Sequence, residues 1–339
     1  MSWIPPSPQI CRSIDRVDPD RFTVSALQRM REESIVEVRR LLRSLQYKEA
    51  TPLVFMGNVS GQSPHFDVRE AEEAMWTRKL RMKQGHFYAF FENGWALHDP
   101  HSRLYWESLF QSLKSELPQL RKFLRTETGM GGNAHLAIFP VHATSVLILA
   151  GRLFGEASSL TIFQYRRERP AAAEGGKWAF DNTPSSDESK FLVQRLRNHS
   201  GEDEACLIVS LTYDIATDRL PVDVAEQGDF KMGAVQLSSL EPLHHDILSN
   251  EADIDLVSDR LGDAVRTMQD EWGVKLVHLF VCAPASVCFK LGQKMQARNQ
   301  ATFRCYESKS GPKGKFIPTI EIDGREARIV NSSVSLELA

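Results

Sequence analysis

The chain has 339 residues, 42% of them apolar and 25% charged, with a formal charge of -3, which fits two or three ordinary globular domains. That balance excludes a protein that coats nucleic acid nonspecifically, though it leaves room for a local basic pocket that takes a small anion. There is no uninterrupted apolar run of about 18 residues, the minimum for a membrane span, and residues 1–16 lack a basic segment followed by an apolar core. The expected location is therefore the cytoplasm.

In chain order, residues 1–20 carry four prolines and read as an extended arm. Residues 23–47 predict a helix: Leu27, Met30, Ile35, Val38, Leu41, Leu42 and Leu45 recur at three- and four-residue steps, with Thr23 or Ser25 as its cap. Residues 52–61 predict a short buried strand, and 67–83 a charged helix. In 86–99, Asn93-Gly94 joins two aromatic runs, a strong hairpin signal. Residues 103–125 predict an amphipathic helix interrupted by Pro118, followed by a glycine break at 129–132. Then come a strand (135–141), a helix (144–155), a strand (159–165) and a loop returning to a strand at Trp178. The run TPSSDES at 183–189 is the linker candidate. Beyond it, strands are expected at 206–215 and 234–240, a long helix at 252–272, and strand, helix and strand over 275–308. A hairpin turning at Asp323-Gly324 closes the chain. Five cysteines occur without a CxxC pair, and four of them lie in apolar runs as small buried hydrophobes.

The chain repeats itself at a spacing of about 141 residues. One copy runs from His135 to Tyr165, the other from His278 to Tyr306. Ser145 and Gly151 are six apart, as are Ser286 and Gly292, and each serine precedes its tyrosine by twenty. An amphipathic helix precedes each copy. This order of helix, strand, helix and strand implies parallel pairs joined by crossover helices. A glycine inside such a helix costs about 1 kcal/mol against alanine, and close packing of helix on sheet is the expected reason. In open α/β sheets ligands bind beyond the carboxyl ends of the strands. Here that means the loops at 139–145 and 282–286, where two helix N-termini would suit a ligand with several phosphates.

The pattern His278-Leu279-Phe280, Ala283-Pro284-Ala285-Ser286, Gly292 and Tyr306-Glu307 resembles the SAVED domain, as do the Ser-Leu-Thr turn at 210–212 and the first copy's LTIFQY strand followed by Trp178. The resemblance covers residues 100–339. It implies an α/β fold of two pseudo-repeated CARF-like (Rossmann-like) units, over 101–190 and 191–339, behind a mixed α+β N-terminal region at 1–100. It also implies a sensor of cyclic di-, tri- or tetranucleotides in CBASS or type III CRISPR antiviral defence. Such a sensor would bind its ligand between the halves and respond by self-association or by activating a separate effector. No cofactor other than that ligand is expected.

Several residues are candidates to touch the ligand. Pro284, Ser286 and Lys290 lie at the second strand-to-helix loop, where Ser286 either caps the helix or meets a phosphate. His142, Thr144 and Ser145 are their counterparts, and His142 is either a base contact or an ordinary loop histidine. Gln164, Tyr165, Arg166 and Arg167 combine an aromatic face for a base with guanidinium forks for phosphate. Trp178, beside Lys177, is either a stacking face or core. Leu211, Thr212 and Tyr213 form another strand-end loop, and Tyr306 ends the second repeat.

Enzyme signatures are weak. His98-Asp99-Pro100-His101 and His244-His245-Asp246 lack metal-site spacing, so no metal is expected. Gly129 and Gly131 precede a strand rather than follow one. Residues 310–315 lack P-loop spacing, and there is no Gly-x-Ser-x-Gly. Asp67, Glu70, Glu73 and Lys79 read as a solvated charged face. An alternative to the sensor is a ligand-activated nuclease or protease whose catalytic centre lies unrecognised in residues 1–100; a third reading is a scaffold without a ligand.

Overall fold

The computed structural model describes residues 23–57, 66–83, 88–90, 100–128, 135–155, 159–180, 187–295, 301–309 and 314–338. The proline arm, the Asn93-Gly94 turn, the glycine break, residues 183–186 of the linker, and His98 and Asp99 lie outside them.

The chain opens with α1 (Val24–Glu33) and α2 (Ile35–Ser44). One helix was expected here. Ser34 splits it, because its side chain accepts the Glu37 N–H and starts a new helix with an acidic first turn. Next come β1 (Lys48–Met56), α3 (Val68–Thr77), β2 (Leu80–Met82), β3 (Tyr88–Phe90), α4 (Arg103–Thr128), β4 (His135–Val141), α5 (Thr144–Phe154) and β5 (Leu160–Ile162). The charged stretch at 67–83 is thus helix followed by strand. Its expected solvated face fails at Glu73, which is 6% exposed beside Arg31 and Arg69. Helix α4 runs through Pro118 without a break, and Leu113, Leu117 and Leu120 on either side of it stay in the core.

All the strands of the first sheet are parallel, in the order β2-β1-β4-β5, with β3 also on β1. The expected division at residue 100 runs through this sheet: β1 pairs with β4 over seven residues, from Ala50↔His135 to Met56↔Val141. Its middle is buried on both faces, as a central parallel strand requires. Trp178 lies in a single 3-10 turn, Gly176–Trp178, and not on a strand.

The second sheet is built from β6 (Phe191–Arg197), β7 (Glu204–Ser210), β10 (Gly233–Ser239), β11 (Leu276–Cys282), β12 (Thr302–Ser308), β13 (Phe316–Ile322), β14 (Glu326–Ile329) and β15 (Ser335–Glu337). A small ribbon of β8 (Ala225–Glu226) and β9 (Asp229–Phe230) stands apart. The order is β15-β14-β13-β12-β11-β7-β10-β6; the middle four strands are parallel and the flanks antiparallel. Helix α6 (Glu251–Arg266) precedes β11, and α7 (Ala285–Lys294) crosses from β11 to β12. The expected closing hairpin is β13-β14.

The repeat is real in space. The unit β4-α5-β5 matches β11-α7-β12, each a parallel pair with its crossover helix. The reason for the two glycines differs from the expected one, because the crossover helices pack on each other. A Cβ on Gly151 would fall 1.9 Å from the Phe289 carbonyl oxygen, and one on Gly292 would fall 1.9 Å from that of Ile148. One core joins both sheets through these helices: Leu53, Phe55 and Ile138 from the first, Leu207, Val209 and Leu279 from the second, with Phe154 and Phe289 between.

Candidate functional site

The two crossover units meet reciprocally at their strand ends. The Ser145 N–H, at the start of α5, donates to Glu307 Oε1 at 2.7 Å, and Glu307 lies at the end of β12 in the other half. Conversely, the Ser286 N–H and hydroxyl at the start of α7 donate to Gln164 Oε1 at 3.1 and 2.7 Å, from beyond the end of β5. Each helix N-terminus leaves backbone N–H groups without intrahelical partners. Here an oxygen of the opposite half accepts one of them at each helix. This corrects the expectation that the two N-termini lie open for phosphate: Ser145 and Ser286 are both 0% exposed. Thr319 Oγ1, 3.1 Å from Ser145 Oγ, closes the first plug further. Burial raises the Glu307 carboxyl above the usual range, with the Ser145 bonds opposing.

Other expected residues are buried as well, some of them away from this seam. The His142 ring sits over Gly57, where a Cβ would fall 2.3 Å from it, and His142 Nδ1 accepts the Ala143 N–H at 2.8 Å. The Leu211 and Thr212 N–H groups both donate to the Cys282 carbonyl at 2.9 Å, which clips the end of β7 to that of β11. Pro284 is buried. The Tyr306 hydroxyl is 2.7 Å from His278 Nδ1, and its ring stacks on Phe280 at 4.3 Å. Trp178 is 1% exposed, edge-on to Phe139 at 5.1 Å and near Tyr165 at 5.0 Å. Its indole belongs to the core.

The remaining candidates stand nearer solvent. Tyr165 and Arg166 are half-buried and Arg167 is exposed. The Lys177 ammonium lies 5.7 Å from the centre of the Tyr165 ring, and the Arg166 N–H donates to the Lys177 carbonyl at 2.8 Å. The Arg166 guanidinium is 6.0 Å from the Phe180 ring and 3.9 Å from Asp246. Across the seam, Tyr213 is 38% exposed and its hydroxyl is 2.5 Å from His245 Nε2. Burial, and then the positive charge of Arg167, lower the His245 pKa, so that the ring is neutral at neutral pH. Thr144 is half-buried at the start of α5. Lys290 lies farther along α7, 3.6 Å from Asp255.

Sequence reasoning named Glu307 only within a motif and passed over Arg219. This arginine is 6% exposed and donates to the Gly314 carbonyl at 2.8 Å and to Ser308 Oγ at 2.7 Å, with its guanidinium 4.8 Å from the Phe316 ring. It ties the loop after β7 to the ends of β12 and β13. Nothing in its local sequence marks that role. Among the described residues no group of three or more His, Cys, Asp or Glu is placed to hold a metal, and no helix is long and apolar enough to cross a membrane.

The fold is similar to that of solved receptors. The Acinetobacter baumannii Cap4 SAVED/CARF-domain containing receptor with the cyclic trinucleotide 2'3'3'-cAAA superposes with a TM-score of 0.53 at 16% identity, over 86% of this chain and 56% of that one. The same receptor with 3'3'3'-cAAA gives 0.52 at 14% identity, over 85% and 54%. This chain thus spans little more than half the length of either. No curated protein matches. The family described as the SMODS-associated and fused to various effectors sensor domain matches residues 117–322, which is more than half of the chain. The chain therefore belongs to the SAVED family of sensor domains.

Proposed function

We propose that the chain senses a cyclic oligonucleotide second messenger where the strand ends of its two halves meet. The observation that carries this reading is the rim of that seam. Tyr165, Arg166, Arg167 and Lys177 from the first half stand opposite Tyr213 and His245 of the second, with Arg167 close enough to His245 to depress its pKa. Aromatic faces stack on bases, and guanidinium and ammonium groups meet phosphates. Because Glu307 and Gln164 plug the helix N-termini, the phosphates are met by side-chain cations at the rim and the bases by the tyrosines. The similar Acinetobacter receptor holds cyclic trinucleotides in two structures, which makes these the first ligands to try. In this reading the protein acts in the cytoplasm in CBASS-type antiviral defence, and ligand promotes self-association or the activation of an effector.

Calorimetry with a panel of cyclic di-, tri- and tetranucleotides tests the proposal. At least one should give saturable heat and a thermal shift. No response to any of them refutes it.

A further inference from the structure

A second basic site lies far from the seam. Arg39, Leu42 and Arg43 of α2, Glu72 of α3, and Arg81 and Met82 of β2 line a small, shallow cleft. Strand β2 pairs with residues 48–50, at the start of β1, while the seam lies beyond Met56 at its end. At about 3.3 Å per residue the two places are roughly 20 Å apart.

The arginines here are held in place. Arg39 Nε donates to Glu72 Oε1 at 3.2 Å, and the Arg31 guanidinium lies 2.9 Å from Glu72 Oε2. Glu72 is 1% exposed, so its carboxylate serves as a buried anchor between two guanidiniums. Glu49 fixes Arg81. The bonds to Glu72 and Glu49 use one nitrogen each of Arg39 and Arg81, and a guanidinium carries five N–H donors. Arg43 is exposed at the cleft's mouth. Three guanidiniums (Arg39, Arg43, Arg81) meet two carboxylates (Glu49, Glu72) here, a surplus of one positive charge, and Arg31 adds none because it also pairs with Glu73 at 3.5 Å. Leu42 and Met82 share the lining with the charged side chains.

We infer that this cleft binds a phosphoryl dianion, which Arg39, Arg43 and Arg81 grip through their forked N–H groups. A free phosphate and the phosphomonoester of a nucleotide share that chemistry. The test is calorimetric titration of the full chain with inorganic phosphate, with adenosine monophosphate, and with chloride at matched ionic strength. Phosphate should bind saturably and chloride should not. Arg43→Gln should weaken phosphate at least tenfold, as should Arg81→Gln, whereas Arg167→Ala, at the seam, should leave it unchanged. Tighter binding of the nucleotide assigns the site to phosphomonoesters, and equal binding assigns it to free phosphate. Three results would overturn the inference: no saturable heat with phosphate, equal heat with chloride, or phosphate binding that survives both arginine variants and falls with Arg167→Ala. Cyclic oligonucleotide binding at the seam is read separately and does not depend on Arg43.

Discussion

Glu307 carries a carboxylate that the structure buries and uses as a hydrogen-bond acceptor. Two substitutions separate those two properties. Glu307→Ala removes the acceptor, which strands the Ser145 N–H in a place water does not reach. Leaving that buried donor without a partner costs about 1–3 kcal/mol, and the void adds to it. Glu307→Gln keeps an oxygen for Ser145 and removes the buried charge. The sign with pH follows from linkage. The folded pKa is raised above the unfolded value, so the native state holds a proton that the unfolded chain releases as pH rises past the ordinary carboxyl range. The wild type is therefore penalised at high pH and not below about pH 4.5. Urea unfolding at a series of pH values, read as the midpoint at constant slope, checks this. Glu307→Gln should match the wild type near pH 4.5 and exceed it at pH 8, whereas Glu307→Ala should be weaker throughout. If Glu307→Gln falls as far as Glu307→Ala at pH 8, then the charge itself holds the two halves together and the reasoning is refuted.

Burial lowers the His135 pKa to about 4, aided by the positive charge of Lys48. The unfolded chain therefore takes up a proton first, and stability is lost as pH falls from 6.5 to 4, by about 3 kcal/mol at the limit. His135→Gln should flatten that part of the pH profile relative to wild type. Gly151→Ala and Gly292→Ala each drive a methyl into backbone and should lower the melting temperature severely or prevent soluble expression. By contrast Gly262→Ala, whose nearest neighbour is the Lys294 side chain at 3.8 Å, should be neutral or stabilising by up to about 1 kcal/mol. Arg167→Ala and Tyr213→Ala should weaken cyclic oligonucleotide binding with an unchanged melt. Trp178→Ala should cost about 3–5 kcal/mol of stability, because it empties the core beneath Tyr165.

The crossover units were legible because their information is local. Strand 135–141, helix, strand and tyrosine recur with fixed spacings, and the structure returns them as β4-α5-β5 and β11-α7-β12. The pairing of β1 with β4 was not legible, since about eighty residues separate the partners and no local pattern names a distant strand. The break at Ser34 could have been read: Ser34-Ile-Val-Glu37 has the spacing of a capping box inside an otherwise continuous apolar stripe. For the site, spacing placed Ser145 and Ser286 at helix starts correctly. What fills those starts is a side chain from the other half, and only the packing of the two helices decides it. Trp178 shows the converse. The sequence left it as either a stacking face or core, and its burial among Phe66, Phe139 and Tyr165 depends on aromatic neighbours far apart in the chain.

The glycine crossing of α5 and α7 also bears on how the chain can vary. At an ordinary interface a bulkier residue on one side is tolerated once a neighbour across from it shrinks. At Gly151 and Gly292 the opposing atoms are main-chain carbonyls, and these exist whatever residue is chosen. No second-site change can make room. In a library with both positions randomised, the survivors should be glycine at each, without the compensating pairs that side-chain interfaces allow. Backbone set against backbone at this crossing fixes the spacing of the two halves there, so a response to ligand is expected in the rim loops or between whole molecules.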